Sequence, residues 1–438
     1  MKIAVFVPAR LKRSLNPTGG RHSRYIFLTP MKRSIVALVK CESYAEDKVL
    51  SAVQNGVGLL GGMARFAAKG ETILIKPNVL NASDPDKCVT THPSVFKAVC
   101  SLLSETGCRL TYGDSPALYS GWGRCGPTMR KCGYAGIAET MSVSMADFDK
   151  GEPVSIGAGS SRKVFVVANG ARSADGVVSL PKLKTHGLMR ITGAVKNQFG
   201  CVPGLFKGQY HASFPDVNDF ARLVADITAF VKPRLYVMDA VMAMEGNGPQ
   251  SGDPRKLGLL LFSTDPVALD AIAARVVGLD PEFVPTCTAG EDAGLGTRRL
   301  EDIECLGDDV GQFITPDFKV PRTPPVSVGG NPLTKVMRNA LTARPAIDAR
   351  LCTRCGICVK ACPVTPKAIG WKTNGAHRRP PMYRYSACIR CFCCQECCPS
   401  RAILMHTPPL GRFVPVLSYL SLLIMNVRRK MERKGYTS

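Results

Sequence analysis

From residue 31 to about 330, short apolar runs alternate with longer stretches whose apolar positions recur every three or four residues. The runs Ile35–Val39, Thr72–Lys76, Arg109–Tyr112, Val164–Val167, Gly176–Leu180, Leu235–Met238 and Leu257–Phe262 predict strands. The stretches at about 45–67, 93–105, 216–231 and 265–277 predict helices. Strand–helix alternation of this kind predicts an α/β domain over 31–317, with a largely parallel sheet covered by helices on both faces. Such sheets bind ligands beyond the carboxyl ends of their strands. Pro321, Pro324, Pro325, Gly329, Gly330 and Pro332 then break any regular element, so 318–345 reads as a linker before a small module at about 346–407.

The two ends depart from this pattern. Residues 1–30 are Arg-rich and free of acid, without the apolar core of a secretory signal. The expectation is that this prefix stays outside the fold and that Met31 is the natural start; an organellar transit peptide is the alternative. At the other end, the apolar run 413–425 falls short of the roughly 18–20 residues that span a bilayer. It is followed by Arg428, Arg429, Lys430, Arg433 and Lys434. A helix packed on the protein and an in-plane helix contacting a membrane surface both fit that tail.

Composition narrows the class. Apolar residues make up 45% of the chain and charged ones 21%, which describes a globular protein rather than a disordered one. The net charge of +23 sits largely at the ends and admits nucleic acid, an anionic membrane or an acidic partner protein. No zinc finger, helix-turn-helix signature or aromatic-rich stretch supports nucleic acid.

The cysteines carry the strongest chemistry. Cys352, Cys355, Cys358 and Cys362-Pro363 follow C-x2-C-x2-C-x3-C-P, and Cys388, Cys391, Cys394 and Cys398-Pro399 repeat it. This is the spacing of bacterial ferredoxins, in which the fourth cysteine of each run reaches the other cluster. Two 4Fe–4S clusters are therefore expected in an α+β ferredoxin domain: one on Cys352, Cys355, Cys358 and Cys398, the other on Cys388, Cys391, Cys394 and Cys362. Zinc needs only four ligands, usually as two C-x2-C knuckles, and fits this order poorly. Cys393 and Cys397 fall outside the register and read as spectators. The remaining cysteines show no pairing pattern, which together with the clusters points to a reducing, cytoplasmic setting.

Polar residues collect where the predicted strands end. Lys76-Pro-Asn78 and Gly113-Asp114-Ser-Pro116 close two strands, and Lys182-Leu-Lys184-Thr-His186 follows a third with alternate side chains on one side. Lys196-Asn197 comes next, then Asp239 and Glu245 after the Leu235 strand, and Asp265 in the N-cap position of a helix. Lysines and amides so gathered suit a carboxylate or phosphate; His186, Asp114, Asp239 and Glu245 could move protons or ligate a hard metal. Lys182, Lys184, His186, Lys196, Asn197, Asp114 and Asp239 are the candidate site. Gly56-Val-Gly58-Leu-Leu-Gly61 has the dinucleotide spacing but follows a helical stretch rather than a strand, so it reads as a glycine-rich helix end.

The segments Lys76-Pro-Asn78, Gly113-Asp-Ser-Pro116, Pro181-Lys-Leu-Lys-Thr-His186, Gly193-Ala-Val-Lys-Asn197 and Ser263-Thr-Asp-Pro-Val-Ala-Leu-Asp270 resemble the motifs of domain-of-unknown-function family 362. The resemblance covers roughly 31–405 and favours Met31 as the start, because that family opens with such a strand and a segment like Ser43-Tyr44. It implies a prokaryotic, cytoplasmic iron–sulfur protein with a redox role, and supplies no reaction. Three functions stay open. The chain could be a redox enzyme that relays electrons from a protein donor to an anionic small molecule. It could instead be a non-catalytic electron-transfer subunit docking to a partner or membrane, or a ligand-binding redox sensor.

Overall fold

A computed structural model of the chain describes residues 33–116, 125–155, 164–323, 339–372 and 379–412. The basic prefix, the apolar tail with its basic run, and linker residues 324–338 lie outside these. Apart from Arg33, the described residues belong to one compact unit, Ser34–Ser438.

A ten-stranded mixed sheet forms the centre. Its order is Ile303–Gly307, Ser34–Lys40, Asp253–Ser263, Leu235–Glu245, Gly176–Leu180, Thr72–Pro77, Arg109–Tyr112 and Ser144–Met145. Most neighbours run parallel; Asp253–Ser263 is antiparallel to both of its partners. Two further strands, Lys182–His186 and Arg190–Thr192, branch from Leu235–Glu245.

The central strands are buried on both faces, and their alternation divides them between two cores. Leu235 and Val237 pack with Ile73 and Ile75 on one side; Tyr236 and Met238 pack with Leu74 on the other. Helices Glu46–Leu59 and Pro93–Ser104 cover the first face, and Val217–Val231, Pro266–Val276 and Pro285–Asp292 the second. Asp265 caps Pro266–Val276, its Oδ1 accepting from Val267 N and Ala268 N. Gly56 lies within its helix, where a Cβ would stand 2.2 Å from the Phe262 ring. That glycine serves helix–sheet packing, not a dinucleotide turn.

Val164–Ala168 departs from the expected sheet. It pairs antiparallel with Gly151–Ser155 as a separate two-stranded ribbon. Its alternation of exposed Val164 with buried Phe165 marks a strand with one wet face, unlike the fully buried Gly176–Leu180. Beyond the last strand, Phe318 and Val320 are buried in the core.

The C-terminal module pairs Arg344–Ile347 with Ile403–His406, and Ile369–Gly370 with Met382–Tyr383. Short helices Ile357–Ala361 and Cys393–Glu396 sit at equivalent places in the two cysteine runs. The repeat extends to the backbone. Arg354 and Arg390 both take positive φ (57° and 66°), as do Gly356 and Phe392 (73° and 62°). Left-handed conformations at non-glycine residues cost about 1–3 kcal/mol each, so their recurrence at matched positions reflects a shared demand of the loop.

Candidate functional site

The matched cysteine loops enclose two cavities. One, of about 310 Å³, is lined by Cys352, Cys355, Cys358 and Cys398 with Ile347, Pro381 and Ile403. The other, of about 320 Å³, is lined by Cys362, Cys388, Cys391 and Cys394 with Pro345, Ile369, Tyr383 and Phe392. Each set contains three cysteines of one run and the pre-proline cysteine of the other. Among the described residues no three of His, Cys, Asp or Glu are grouped as one metal ion requires. The sulfurs instead surround a volume, as ligands of a multi-iron cluster do. Donors face them: Tyr383 OH donates to Cys394 Sγ (3.2 Å) and Ala368 N to Cys362 Sγ (3.3 Å). The residues fit 4Fe–4S clusters.

A larger cleft, with about 860 Å³ of empty space counted out to its mouth, lies between the sheet's strand ends and this module. Lys184, His186, Lys196, Asn197 and Asp114 all line it. Lys182 and Asp239 do not. Although Lys182 shares a strand face with Lys184, its Nζ turns to Asp239 Oδ2 (2.7 Å) and Tyr44 OH (2.8 Å). Asp239 also accepts from Tyr44 OH and the amides of His92 and Val241. Both ions are consumed by a buried network beside the cleft. Glu245 likewise turns away, accepting from Lys319 N (3.0 Å).

A buried polar relay builds the floor. Lys76 pairs with Asp114 (3.0 Å) and donates to Asn197 Oδ1 (3.2 Å). Asn78 Nδ2 donates to the same oxygen, while Asn197 Nδ2 donates to Ser179 Oγ. These contacts fix the orientation of both amides and leave Asn78 Oδ1 without a donor. Lys196 and Asn197 ride on helix Ala194–Asn197, whose first amides donate to buried Asp270 (Ala194 N 2.5 Å, Val195 N 3.1 Å). A Cβ on Gly193 would stand 2.1 Å from Asp270 Oδ1, so only glycine permits this approach.

The cleft is rich in cations with few counter-charges. Lys184 Nζ donates to Val89 O (2.7 Å), and burial pushes its pKa down to about 7. Lys207 Nζ donates to Ser115 O; burial pushes it down to about 8, with Asp114 opposing. Lys196 is also pushed down by burial, with Glu396 opposing; its Nζ lies over the rings of Phe199 (4.6 Å) and Phe220 (5.8 Å). His186 Nδ1 accepts from Leu188 N and Met189 N, which places the proton of a neutral ring on Nε2, 3.2 Å from Glu396 Oε1. Burial pushes Glu396 up, but His186, Lys196 and His211 outweigh it and hold the carboxyl at about 2. Burial lowers His211 to about 3, where it stacks on Phe220 at 4.2 Å.

Several lining residues escaped the sequence reading. Lys207 and His211 stand four apart on one face of helix Gly204–Ser213, a spacing that was legible but unassigned. Cys393 and Cys397, taken as spectators, line the cleft together with Glu396. They interleave with ligand positions, so the cleft and the second cysteine loop share a wall. Gln395 Nε2 donates to Asn247 Oδ1 (2.8 Å) and Gly248 O (3.0 Å), and Asn247 Nδ2 to Ile403 O (3.0 Å), holding that wall to the turn after Leu235–Glu245.

No helix among the described residues is long and apolar enough to cross a membrane. A thylakoid-associated protein of Synechocystis sp. is 35% identical over 267 residues, covering 61% of this chain and 81% of that protein. The lactate racemase apoprotein of Thermoanaerobacterium thermosaccharolyticum (TM-score 0.35, 12% identity) matches 54% of this chain. A Thermotoga maritima protein (TM-score 0.33, 13% identity) matches 58%. The chain spans 55% and 60% of those two structures, a likeness too slight to bear on the site. Residues 73–275 match the model of the domain of unknown function DUF362, and residues 344–399 that of a 4Fe-4S dicluster domain. The chain thus belongs to the DUF362 family and carries a 4Fe–4S dicluster domain near its C-terminus.

Proposed function

We propose that the protein is an iron–sulfur oxidoreductase whose cleft holds a small anion for electron exchange with the dicluster domain. One observation carries this reading: Lys184, Lys196 and Lys207 of the α/β domain and Cys393, Glu396 and Cys397 of the second cysteine loop line the same cleft. The clusters, when bound, supply single electrons. Everything else falls to side chains. Buried Lys184 and half-buried Lys196 and Lys207, all with depressed pKa values, form no ion pair with a carboxylate among the described residues, and a bound carboxylate or phosphate would supply one. Lys196, held over two rings with no carboxylate in contact, is the anchor. Asn78 Oδ1 waits for a donor, which favours an anion that also carries a hydroxyl or amine. The His186–Glu396 pair places a proton on Nε2 at the wall nearest the cysteine loop.

The test is calorimetric titration of the anaerobically purified, cluster-loaded protein with small hydroxy- and amino-carboxylates and with phosphate. Saturable binding that Lys196→Met weakens by about tenfold or more supports the proposal. If none of these anions binds, the cleft is not an anion site and the reading fails.

A further inference from the structure

The exposed charge of the dicluster domain is almost all positive. Among its described residues the carboxylates are Asp348, paired with Arg350 at 2.9 Å, and Glu396, turned into the cleft. Arg354, Lys360, Lys367, Lys372, Arg379 and Arg384 are all exposed. Lys360, Lys367 and Arg384 gather beside Cys362, whereas Arg354, Lys372 and Arg379 lie near Cys355 in the first cysteine loop. Lys367 Nζ donates to Lys360 O and Cys362 O, and Arg384 Nη2 donates to Lys367 O. Lys372 follows Trp371, which packs by Gly356, and Arg379 precedes the proline pair of which Pro381 lines the first cysteine cavity. Within this field Cys355, a ligand position of that first cavity, is exposed. None of the other seven ligand positions is exposed: Cys358, Cys388, Cys394 and Cys398 are buried and Cys352, Cys362 and Cys391 half-buried. Two members of the second set, Cys362 and Cys394, directly follow cleft-lining residues, Ala361 and Cys393, whereas only Cys398 of the first set does, after Cys397. The first set therefore opens to solvent at Cys355, and the second has more neighbours in the cleft wall.

We infer that this basic face around Cys355 is the docking site for an acidic electron-carrier protein, with the first cluster as the outer station and the second as the inner one. The inference rests on the iron–sulfur reading above. A protein partner is favoured over an anionic membrane because Arg354, Lys372 and Arg379 flank the one exposed ligand position of a redox centre, which a carrier must approach closely. Each encounter moves one electron from the carrier's reduced centre, which is oxidised, to the outer cluster, which is reduced; no bond forms or breaks. Complementary charge steers such encounters and raises association rates by about 10–10³-fold, an effect that salt removes.

The probe is a reduced acidic 2Fe–2S ferredoxin, with association followed by stopped-flow absorbance and affinity by calorimetry, from low to high salt. The expected result is an affinity and rate that fall steeply with salt and drop at least tenfold in Lys372→Glu/Arg379→Glu. Unchanged iron and sulfide content shows that the variant retains its cysteine sites. Equal binding by variant and wild type, or salt-independent binding, overturns the inference. So does wild-type binding to phosphatidylserine vesicles with none to the ferredoxin, which would assign the face to a membrane. The anion titration of the cleft reads the proposed function separately, so failure of either leaves the other result interpretable.

Discussion

Replacing Gly200 with alanine strikes the floor of the cleft at its tightest point. An ideal Cβ there would lie 1.9 Å from Asp114 Oδ1 and 2.6 Å from Lys76 Nζ. Neither group can step aside. Asp114 is held by the amides of Val79 (2.7 Å) and Ser115 (2.9 Å), and Lys76 by Asn197 Oδ1 and Pro77 O. Relief therefore means parting a fully buried ion pair, which costs about 3–5 kcal/mol when one charge is left uncompensated. A smaller adjustment of the backbone still carries an overpacking cost of about 1–3 kcal/mol. Gly208 provides the control. It lines the same cleft, but its Cβ would meet only Pro363 Cβ at 3.6 Å, an ordinary contact. Alanine in that helix interior should stabilise by about 0.5–1 kcal/mol. Urea denaturation followed by circular dichroism should show Gly200→Ala losing about 3 kcal/mol or more while Gly208→Ala holds or gains. A Gly200→Ala protein within about 1 kcal/mol of wild type would refute the claim that this ion pair is rigid and close-packed.

Other perturbations probe the cleft and the loops. Anion affinity should fall as pH rises through 7–8, because Lys184 (about 7) and Lys207 (about 8) lose their charge there; titration calorimetry across that range checks it. Stability of the ligand-free protein should move the opposite way. Unfolding restores these lysines to their ordinary range near 10.5, so between the depressed and ordinary values the unfolded state binds more protons and stability rises with pH. Lys196→Met should weaken anion binding by about tenfold or more, since a charge-assisted contact contributes about 1.5–3 kcal/mol, yet leave the melting temperature unchanged or raised. Tyr383→Phe deletes the hydrogen bond to Cys394 Sγ. Because hydrogen bonds to cluster sulfurs help set potential, redox titration should find one centre shifted to lower potential and the other unmoved.

Much of this fold was legible because it obeys simple periodicity. Leu235 to Met238 alternates between two cores, and the helices beginning at Pro93, Val217 and Pro266 lie within about a residue of their predicted starts. Where reading along the chain fell short, the deciding contacts were long-range. Nothing near Lys182 indicates that Asp239, 57 residues away, takes its charge out of the cleft. Val164–Ala168 has strand composition, but its membership in a separate ribbon depends on a partner at 151–155. Cys393 and Cys397 fail the ligand spacing, so their place in the cleft follows only from docking of the module through Gln395 and Asn247. The cysteine sets stood out because cluster ligation imposes a local spacing that other constraints do not imitate.

The shared wall between cleft and cysteine loop is tested most directly by EPR of the reduced, cluster-loaded protein with and without a bound small anion. The account predicts that the anion alters the signal of one cluster, the one on Cys362, Cys388, Cys391 and Cys394, while the other keeps its signal, and that Lys196→Met abolishes the change. Spectra identical with and without an anion that calorimetry shows to be bound would contradict it.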